Sequence, residues 1–229
     1  TYLYTDKKTS VQPLLSPIAV GKVLSFGEEA TWKTATGPSQ YVEGIGGDEN
    51  NVWMVDFYNK IIYDLDPNTF STNKSGTPPG SPSGVGGNKN IIYMAETSGD
   101  DIYKLNPADF SVISYSSSPS TYPRGIGGDD NVIWHTDDDV DTAYEINPAD
   151  YSVVKSGATP GPYTYDIGGD TSTIWHSNGT PTTLYELSTT DFSIIRSTSP
   201  GDYHRACGGK KYTLYTYEYI NKLIKQLGT

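Results

Sequence analysis

The chain has 229 residues, and its 16 Lys and Arg against 27 Asp and Glu give a formal net charge of −11 at pH 7. This acidity disfavours binding to nucleic acid phosphates or to an anionic membrane surface. A hydrophobic content of 35% supports a buried core in one large domain or two small ones, and no apolar run reaches the length of about 18 residues needed to span a membrane as a helix.

The N-terminal 40 residues contain strand-like segments without a regular repeat. They predict short strands at 2–5, 18–20, 23–26 and 30–33. The last of these lies where the outer strand of a repeat unit is expected. We therefore interpret residues 1–40 as an irregular first unit, or as a strand that closes the fold by pairing with the C-terminal end.

A Gly-Gly pair recurs along the rest of the chain at a nearly constant interval. After each pair come a polar turn and a hexamer rich in β-branched and aromatic residues, such as residues 51–56, which predicts a strand. No unit shows sustained helical periodicity. The pairs begin at Gly46, Gly86, Gly127, Gly168 and Gly208, so their spacings are 40, 41, 41 and 40 residues.

Further strand signals follow each hexamer. Residues 61–67 form a third strand that ends in an Asp-Pro step, which favours a tight reversal because Pro fixes φ. An aromatic-Ser pair then opens another strand in four of the units. Residues 219–227 fit a strand pair that turns at Ile220 and Asn221.

Four short strands in about 41 residues make one blade of a β-propeller, an all-β fold whose radial repetition leaves few open sheet edges. We predict a single β-propeller domain over residues 1–229, with its ring closed by an N-terminal strand. Dividing the length by the repeat gives about 5.6, which favours six blades, one of them irregular, over five. After residues 1–40, the predicted repeats lie at about 41–81, 82–121, 122–162, 163–202 and 203–229.

The motif in residues 123–137 resembles the repeats of NHL and YWTD propellers, which read roughly Pro-x-Gly-Ile-x-x-Asp, then Asn, Ile or Val, and Tyr or Trp. Residues 51–67 are also similar to the repeats of streptogramin lyase-type propellers. The resemblance covers about residues 41–218 and implies a propeller of the six-bladed NHL and YWTD type. Gly-Gly replaces the apolar pair usual in the inner strand, and no catalytic residue of the lyases carries over to a position in this chain.

Aromatic and charged side chains mark the starts of the inner strands. In propellers of this type these starts share one face of the disk with the ends of the second strands, so the side chains are expected to surround the axis. Tyr, Arg and carboxylate groups there predict a pocket for a polar ligand such as a sugar, a peptide or a small acid. The alternative is that the tyrosines pack between blades with only their hydroxyls exposed. The candidate ligand-binding residues are Tyr41, Glu43, Tyr122, Arg124, Tyr163, Tyr165, Tyr203, His204 and Arg205.

In each unit, the second strand ends in an acidic or amide side chain. A ring of such carboxylates can hold Ca²⁺ or Mg²⁺ through oxygen ligands, but a position repeated in every blade also fits a side chain that fixes a loop through backbone N–H groups. The acidic loop at 137–141 is a calcium candidate or a solvated loop, since it lacks the Gly and closing Glu of an EF-hand. The candidate metal ligands are Asp56, Glu96, Asp137, Asp139, Asp141 and Asp166.

His135 and His176 lie two residues before the repeated acidic position in neighbouring units. Imidazoles titrate near neutral pH and can serve as general acid and base, so these two are the candidate catalytic residues. The alternative is packing between blades. The single Cys207 excludes an internal disulfide framework and fits apolar packing.

Three functions fit this pattern. The favoured one is a non-catalytic binding propeller that presents its axial face to a glycan, peptide or protein partner. The alternatives are a metal-dependent enzyme of the lactonase or lyase type, and a structural component of a secreted or viral assembly. Richness in Tyr, Thr and Ser favours an extracellular, secreted protein, and we expect a monomer that neither binds nucleic acid nor inserts into a membrane.

Overall fold

A computed structural model describes residues 31–179, 182–199, 203–210 and 213–228, which form twenty β-strands in five antiparallel four-stranded sheets. Each sheet is one blade of a β-propeller. The strands predicted at 2–5, 18–20 and 23–26 lie outside the described residues. None of the described residues forms a helix long and apolar enough to cross a membrane.

The first four blades each consist of four consecutive strands in the order inner, second, third and outer. Blade 1 contains β2 (Val42–Gly47), β3 (Val52–Asp56), β4 (Ile61–Leu65) and β5 (Thr72–Gly76), and blade 2 contains β6 (Pro82–Asn88), β7 (Ile91–Glu96), β8 (Asp101–Leu105) and β9 (Val112–Ser117). Blade 3 contains β10 (Pro123–Gly128), β11 (Ile133–Asp137), β12 (Thr142–Ile146) and β13 (Val153–Ala158), and blade 4 contains β14 (Thr164–Asp170), β15 (Thr173–Asn178), β16 (Thr183–Leu187) and β17 (Ile194–Thr198).

Blade 5 is assembled from both ends of the described chain. Its inner, second and third strands are β18 (His204–Lys210), β19 (Thr213–Glu218) and β20 (Leu223–Gly228), and its outer strand is β1 (Thr31–Thr36). β1 pairs antiparallel with β20, which confirms the predicted closure of the ring by an N-terminal strand.

The described ring has five blades, so the preference for six was wrong. A β-carbon on Gly208 would lie 2.9 Å from the Cα atom of Gly46, which means that the inner strand of blade 5 packs directly on that of blade 1. The estimate failed because it counted residues 1–40 as a whole blade. Within the described residues this part of the chain supplies one outer strand and the start of the next connection.

The Gly-Gly pairs line the axis, where the five inner strands approach one another most closely. A β-carbon on Gly127 would lie 2.7 Å from the Cα atom of Gly168, and the space enclosed by the pairs is too small for a water molecule. The second glycine of each pair has a different requirement. Gly47 has a φ of 154°, and a β-carbon there would overlap the carbonyl oxygen of Asn51.

Aromatic side chains of the second strands tie neighbouring blades together. The indole N–H of Trp134 donates to the carbonyl oxygen of Asp170 at 3.0 Å, and that of Trp175 donates to Lys210 at 3.1 Å. The hydroxyl of Tyr215 donates to the Asp48 carbonyl at 3.0 Å and so joins blade 5 to blade 1. A buried donor that reaches the turn of the next blade fixes the distance between blades as well as filling the gap.

Replacement of Gly127 by alanine is expected to lower the free energy of unfolding by about 2–3 kcal/mol, because the new methyl group meets backbone that has no room to move. Gly99→Ala is the matched control, since its nearest neighbours are carboxylate oxygens of Asp101 and Glu96 at 3.0 and 3.3 Å, which need to move by only a few tenths of an ångström. Urea unfolding of both variants measures the difference. Equal stability of the two variants would contradict close packing at the axis.

Candidate functional site

One face of the disk carries the starts of the inner strands and the hairpins between second and third strands. Backbone hydrogen bonds join the two sets: Asp138 N–H donates to the Tyr122 carbonyl at 3.3 Å, and Tyr219 N–H donates to the Tyr203 carbonyl at 2.8 Å. We call this the axial face. All candidate ligand-binding residues except His204, which is buried, keep part of their surface exposed there.

Tyrosine and arginine side chains alternate across the axial face from blade 3 to blade 5. The Arg124 guanidinium lies 5.5 Å from the ring centre of Tyr122 and 5.8 Å from that of Tyr165. The Arg205 guanidinium lies 5.9 Å from Tyr165 and 4.3 Å from Tyr219. We call these five residues the Tyr–Arg ladder; cation–π attraction and the shared packing hold each guanidinium between two rings.

Glu43 of blade 1 joins the two arginines. One of its carboxylate oxygens is bound by Arg205, and the other accepts a bond from Arg124 at 3.4 Å. Arg124 also pairs with Asp138 at 3.5 Å. Burial raises the pKa of Glu43, and the two guanidiniums oppose this effect. Two positive and two negative groups therefore meet at the mouth of the axis in a fixed arrangement with little net charge.

Two exposed tyrosines of the axial face have strained backbone. Tyr122 and Tyr163 adopt φ values of 70° and 62°, and 47% and 60% of their surfaces are exposed. Phe192 has a similar φ of 61°, but its ring is buried and packs edge-on against Trp134 at 5.9 Å, which offsets the strain. Tyr122 and Tyr163 lack such burial, so packing of their rings does not offset the cost of the left-handed backbone.

The remaining candidate tyrosines lie beside the ladder. The hydroxyls of Tyr165 and Tyr203 hydrogen-bond to each other, and Tyr41 packs against Tyr58 with ring centres 4.9 Å apart. Tyr41 also lines a groove of about 330 Å³ where blade 5 meets blade 1. The face thus continues from the axis into an open groove with polar walls.

The candidate catalytic histidines lie between strands, away from the axial face. His135 and His176 are fully buried, and their Nδ1 atoms face the carbonyl oxygens of Gly125 and Asp166 at 2.8 and 3.1 Å. Burial lowers the pKa of each imidazole to about 4. His204 is buried as well, with its Nδ1 2.7 Å from the Thr216 hydroxyl.

The repeated acidic side chains hold loops of the axial face. Asp56 accepts the Asn59 N–H at 2.7 Å, and Glu96 accepts the N–H groups of Ser81 at 2.6 Å and Gly99 at 2.8 Å. These contacts satisfy backbone donors in tight turns. In the described part of the chain, no three His, Cys, Asp or Glu side chains are grouped as a metal-ligand set.

The acidic loop after β11 has the same kind of internal contacts. Asp137 accepts the Asp139 N–H at 3.0 Å, and Asp139 accepts a bond from the Thr121 hydroxyl at 2.9 Å. Burial raises the pKa of Asp137 to about 6. Asp141, at the end of the loop, adopts a φ of 46°, typical of a tight hairpin.

Asp166 lies on the axis, one residue after Tyr165 along β14. Its carboxylate accepts backbone N–H bonds from Ile45 at 3.2 Å, from Cys207 at 3.1 Å and from Ile167 at 2.9 Å. The side chain is fully buried, and burial raises its pKa well above the usual value against the opposing effect of these donors. Its neighbours are therefore donors, and a cation there would have to displace them.

Sequence reasoning missed Asp138 and Tyr219 as members of the site. Each follows the repeated acidic position by one residue. Each donates its backbone N–H to the carbonyl oxygen of the residue that precedes an inner strand, Tyr122 or Tyr203. The repeat contains a signal for them, because the residue after the acidic position bonds the start of an inner strand in four units, at Phe57, Thr97, Asp138 and Tyr219.

Solved propellers resemble this structure at low sequence identity. The glutaminyl cyclase of Myxococcus xanthus aligns with a TM-score of 0.72 at 5% identity, covering 86% of this chain and 94% of that one. The virginiamycin B lyase of Staphylococcus aureus aligns with a TM-score of 0.52 at 15% identity, covering 84% of this chain and 68% of that one. The WD40 propeller domain of Doa1 aligns with a TM-score of 0.54 at 12% identity, covering 79% of this chain and 61% of that one. No protein-family model and no curated protein matches the sequence. These likenesses show a β-propeller, and membership of the NHL or YWTD family stays a prediction.

The lowered pKa values predict that His135 and His176 stay neutral until the pH falls towards 4. The unfolded chain binds these protons first, so each imidazole contributes stability that is present above pH 6.5 and lost as the pH falls to about 4, up to about 3 kcal/mol each. NMR titration of the imidazole signals measures the pKa values directly, and His135→Gln assigns them. Titration of either residue near pH 6.5 would contradict its buried position.

Replacement of Tyr163 by glycine is expected to raise the free energy of unfolding by up to about 1 kcal/mol, because relief of the left-handed strain exceeds the entropy cost of glycine. Phe192→Gly is the control with the same backbone conformation and a buried ring, and we expect a loss of about 3 kcal/mol or more. Denaturant unfolding compares the two. A similar loss in both variants would show that the Tyr163 ring is a packing element.

Proposed function

We propose that this chain is a non-catalytic binding propeller whose axial face captures a glycan. The observation that carries the proposal is the exposure, on left-handed backbone, of Tyr122 in the Tyr–Arg ladder and of Tyr163 on the same face. Aromatic faces stack on the apolar C–H side of a sugar ring, while guanidinium and carboxylate groups bond its hydroxyls. Strain at exposed side chains is expected where they contact a ligand.

The charge of the site favours a hydroxyl-rich ligand over a strongly charged one. Glu43 and Asp138 already neutralise Arg124 and Arg205, so the ladder offers donors and acceptors with little net attraction for an ion. A ladder fixed by its own ion pairs also loses little side-chain entropy on binding. The same surface suits a peptide less well, since an extended peptide is most often bound along an open strand edge or in an apolar groove.

The alternative of a metal-dependent lactonase or lyase-type enzyme has less support. Its two histidines are buried between strands, its acidic residues are engaged by loop N–H groups, and Asp166 is surrounded by donors. Glutaminyl cyclase and virginiamycin B lyase share the fold at 5% and 15% identity, which supports no transfer of their activities.

Substitution of ladder residues is expected to weaken binding strongly. We predict that Arg124→Ala and Arg205→Ala each weaken capture on a glycan array at least about tenfold, because each removes a pair of donors and a stacking neighbour. Tyr122→Gly and Tyr163→Gly are expected to do the same while the domain remains folded in thermal unfolding by circular dichroism.

Tyr115→Ala is the matched control for this experiment, since Tyr115 is 63% exposed but lies on the outer strand β9. It should bind as the unchanged protein does. Equal loss in Tyr115→Ala, or unchanged binding in all four ladder and tyrosine variants, would contradict the axial face as the binding site. Binding on a peptide array without binding on the glycan array would show that the ligand is a peptide and not a glycan.

A further inference from the structure

The inner strands of a closed propeller present unpaired backbone groups to the axis, because each has a partner strand on one side only. The residue before each Gly-Gly pair holds the same place in every blade. Its N–H group is available to whatever lies on the axis. These residues are Ile45, Val85, Ile126, Ile167 and Cys207.

Three of these N–H groups converge on a single carboxylate. The Oδ2 atom of Asp166 accepts from Ile45 and Cys207 at 3.2 and 3.1 Å, and Oδ1 accepts from Ile167 at 2.9 Å. Donors from blades 1, 4 and 5 thus point at one buried group, an arrangement that backbone amides form around bound carboxylates.

Position 166 is where the repeat is broken. The equivalent residues are glycine in blades 1 to 3 and Ala206 in blade 5. In blade 3 a side chain has no room, because a β-carbon on Gly125 would lie 2.6 Å from the Cα atom of Asp166. One carboxylate is therefore supplied to the ring of donors, from a blade in which the backbone leaves space for it.

We propose that the inward N–H groups of Ile45, Ile167 and Cys207 form a carboxylate-binding site that the chain fills with its own side chain, Asp166. Because burial raises the pKa of the group held there, a carboxylate that enters from solvent is expected to take up a proton in the site. Shortening Asp166 to glycine, the residue of three other blades, opens the site to a free small carboxylate. The site lies one residue deeper along the inner strands than the Tyr–Arg ladder and does not depend on the glycan proposal.

Formate is the probe, because it is a carboxylate small enough to replace the removed group. The thermal midpoint of Asp166→Gly is measured in sodium formate and in sodium gluconate, whose anion is too large for the axis, at equal ionic strength. We expect a lower midpoint than the unchanged protein in gluconate and a saturable rise on the order of 5 °C in formate. The unchanged protein should show no difference between the two salts.

Asp109→Gly is the control, since it removes the same side chain from an exposed turn where the carboxylate accepts bonds from Ser111. It should not respond to formate. An equal formate effect in Asp109→Gly and Asp166→Gly, or none in Asp166→Gly, overturns the proposal.

If Asp166→Gly does not fold in gluconate, the yield of refolded Asp166→Gly and Asp166→Ala is compared in the two salts. Recovery in formate alone supports the site, and failure in both salts overturns it. Crystals of a folded variant grown with formate provide an independent measurement. Density for formate within hydrogen-bond distance of the Ile45 and Cys207 nitrogens is expected, and its absence there overturns the proposal.

Discussion

The close approach of five inner strands at the axis is the constraint on which the structure depends. Blades meet there backbone to backbone, so that Gly46, Gly86, Gly127, Gly168 and Gly208 each face the next member of the ring without an intervening side chain. This sets the distance between blades near the axis. The aromatic side chains of the second strands then fill the wider space further out and reach the turn of the neighbouring blade.

A regular scaffold carries an irregular site. The axial glycines and the interblade aromatic residues repeat around the ring. One repeated position, in contrast, carries acidic, hydroxyl, basic or aromatic side chains: Glu43, Ser83, Arg124, Tyr165 and Arg205. Asp166 differs in the same way one residue further in. Because each inner strand places these residues in the same register, changes of side chain alone build a charged and aromatic surface on an otherwise uniform frame.

The sequence predicted the local structure well because the same residue types recur at the same spacing in each blade. Alternating strands, Pro-containing turns and the closing N-terminal strand were all readable from residue type and spacing. The number of blades could not be predicted in this way, because it depends on which residues outside the repeat join the ring. The aromatic residue of each aromatic-Ser pair was interpreted as the start of a strand. In the structure it completes the preceding turn with a positive φ and fills the gap between blades. These residues are Phe70, Phe110, Tyr151 and Phe192.

Candidate site residues were predicted with mixed success for a related reason. Position along a strand indicated correctly that Arg124 and Arg205 lie near the axis, since the register of an inner strand decides it. The depth of His135 and His176 and the donors around Asp166 come from contacts between blades, which no single unit of the sequence contains. Such contacts join residues more than 120 positions apart in the case of Asp166 and Ile45.

The pairing of β1 with β20 has a consequence for how the protein is made. Thr31 pairs with Leu227, so the outer strand of blade 5 is synthesised before blades 1 to 4 and its partner after them. During translation the four complete blades can form in order, but blades 1 and 4 each expose an apolar face until β18, β19 and β20 emerge. Closure of the ring is then a single late event between distant segments, and a chain stalled before β20 is left with an edge able to pair with another molecule.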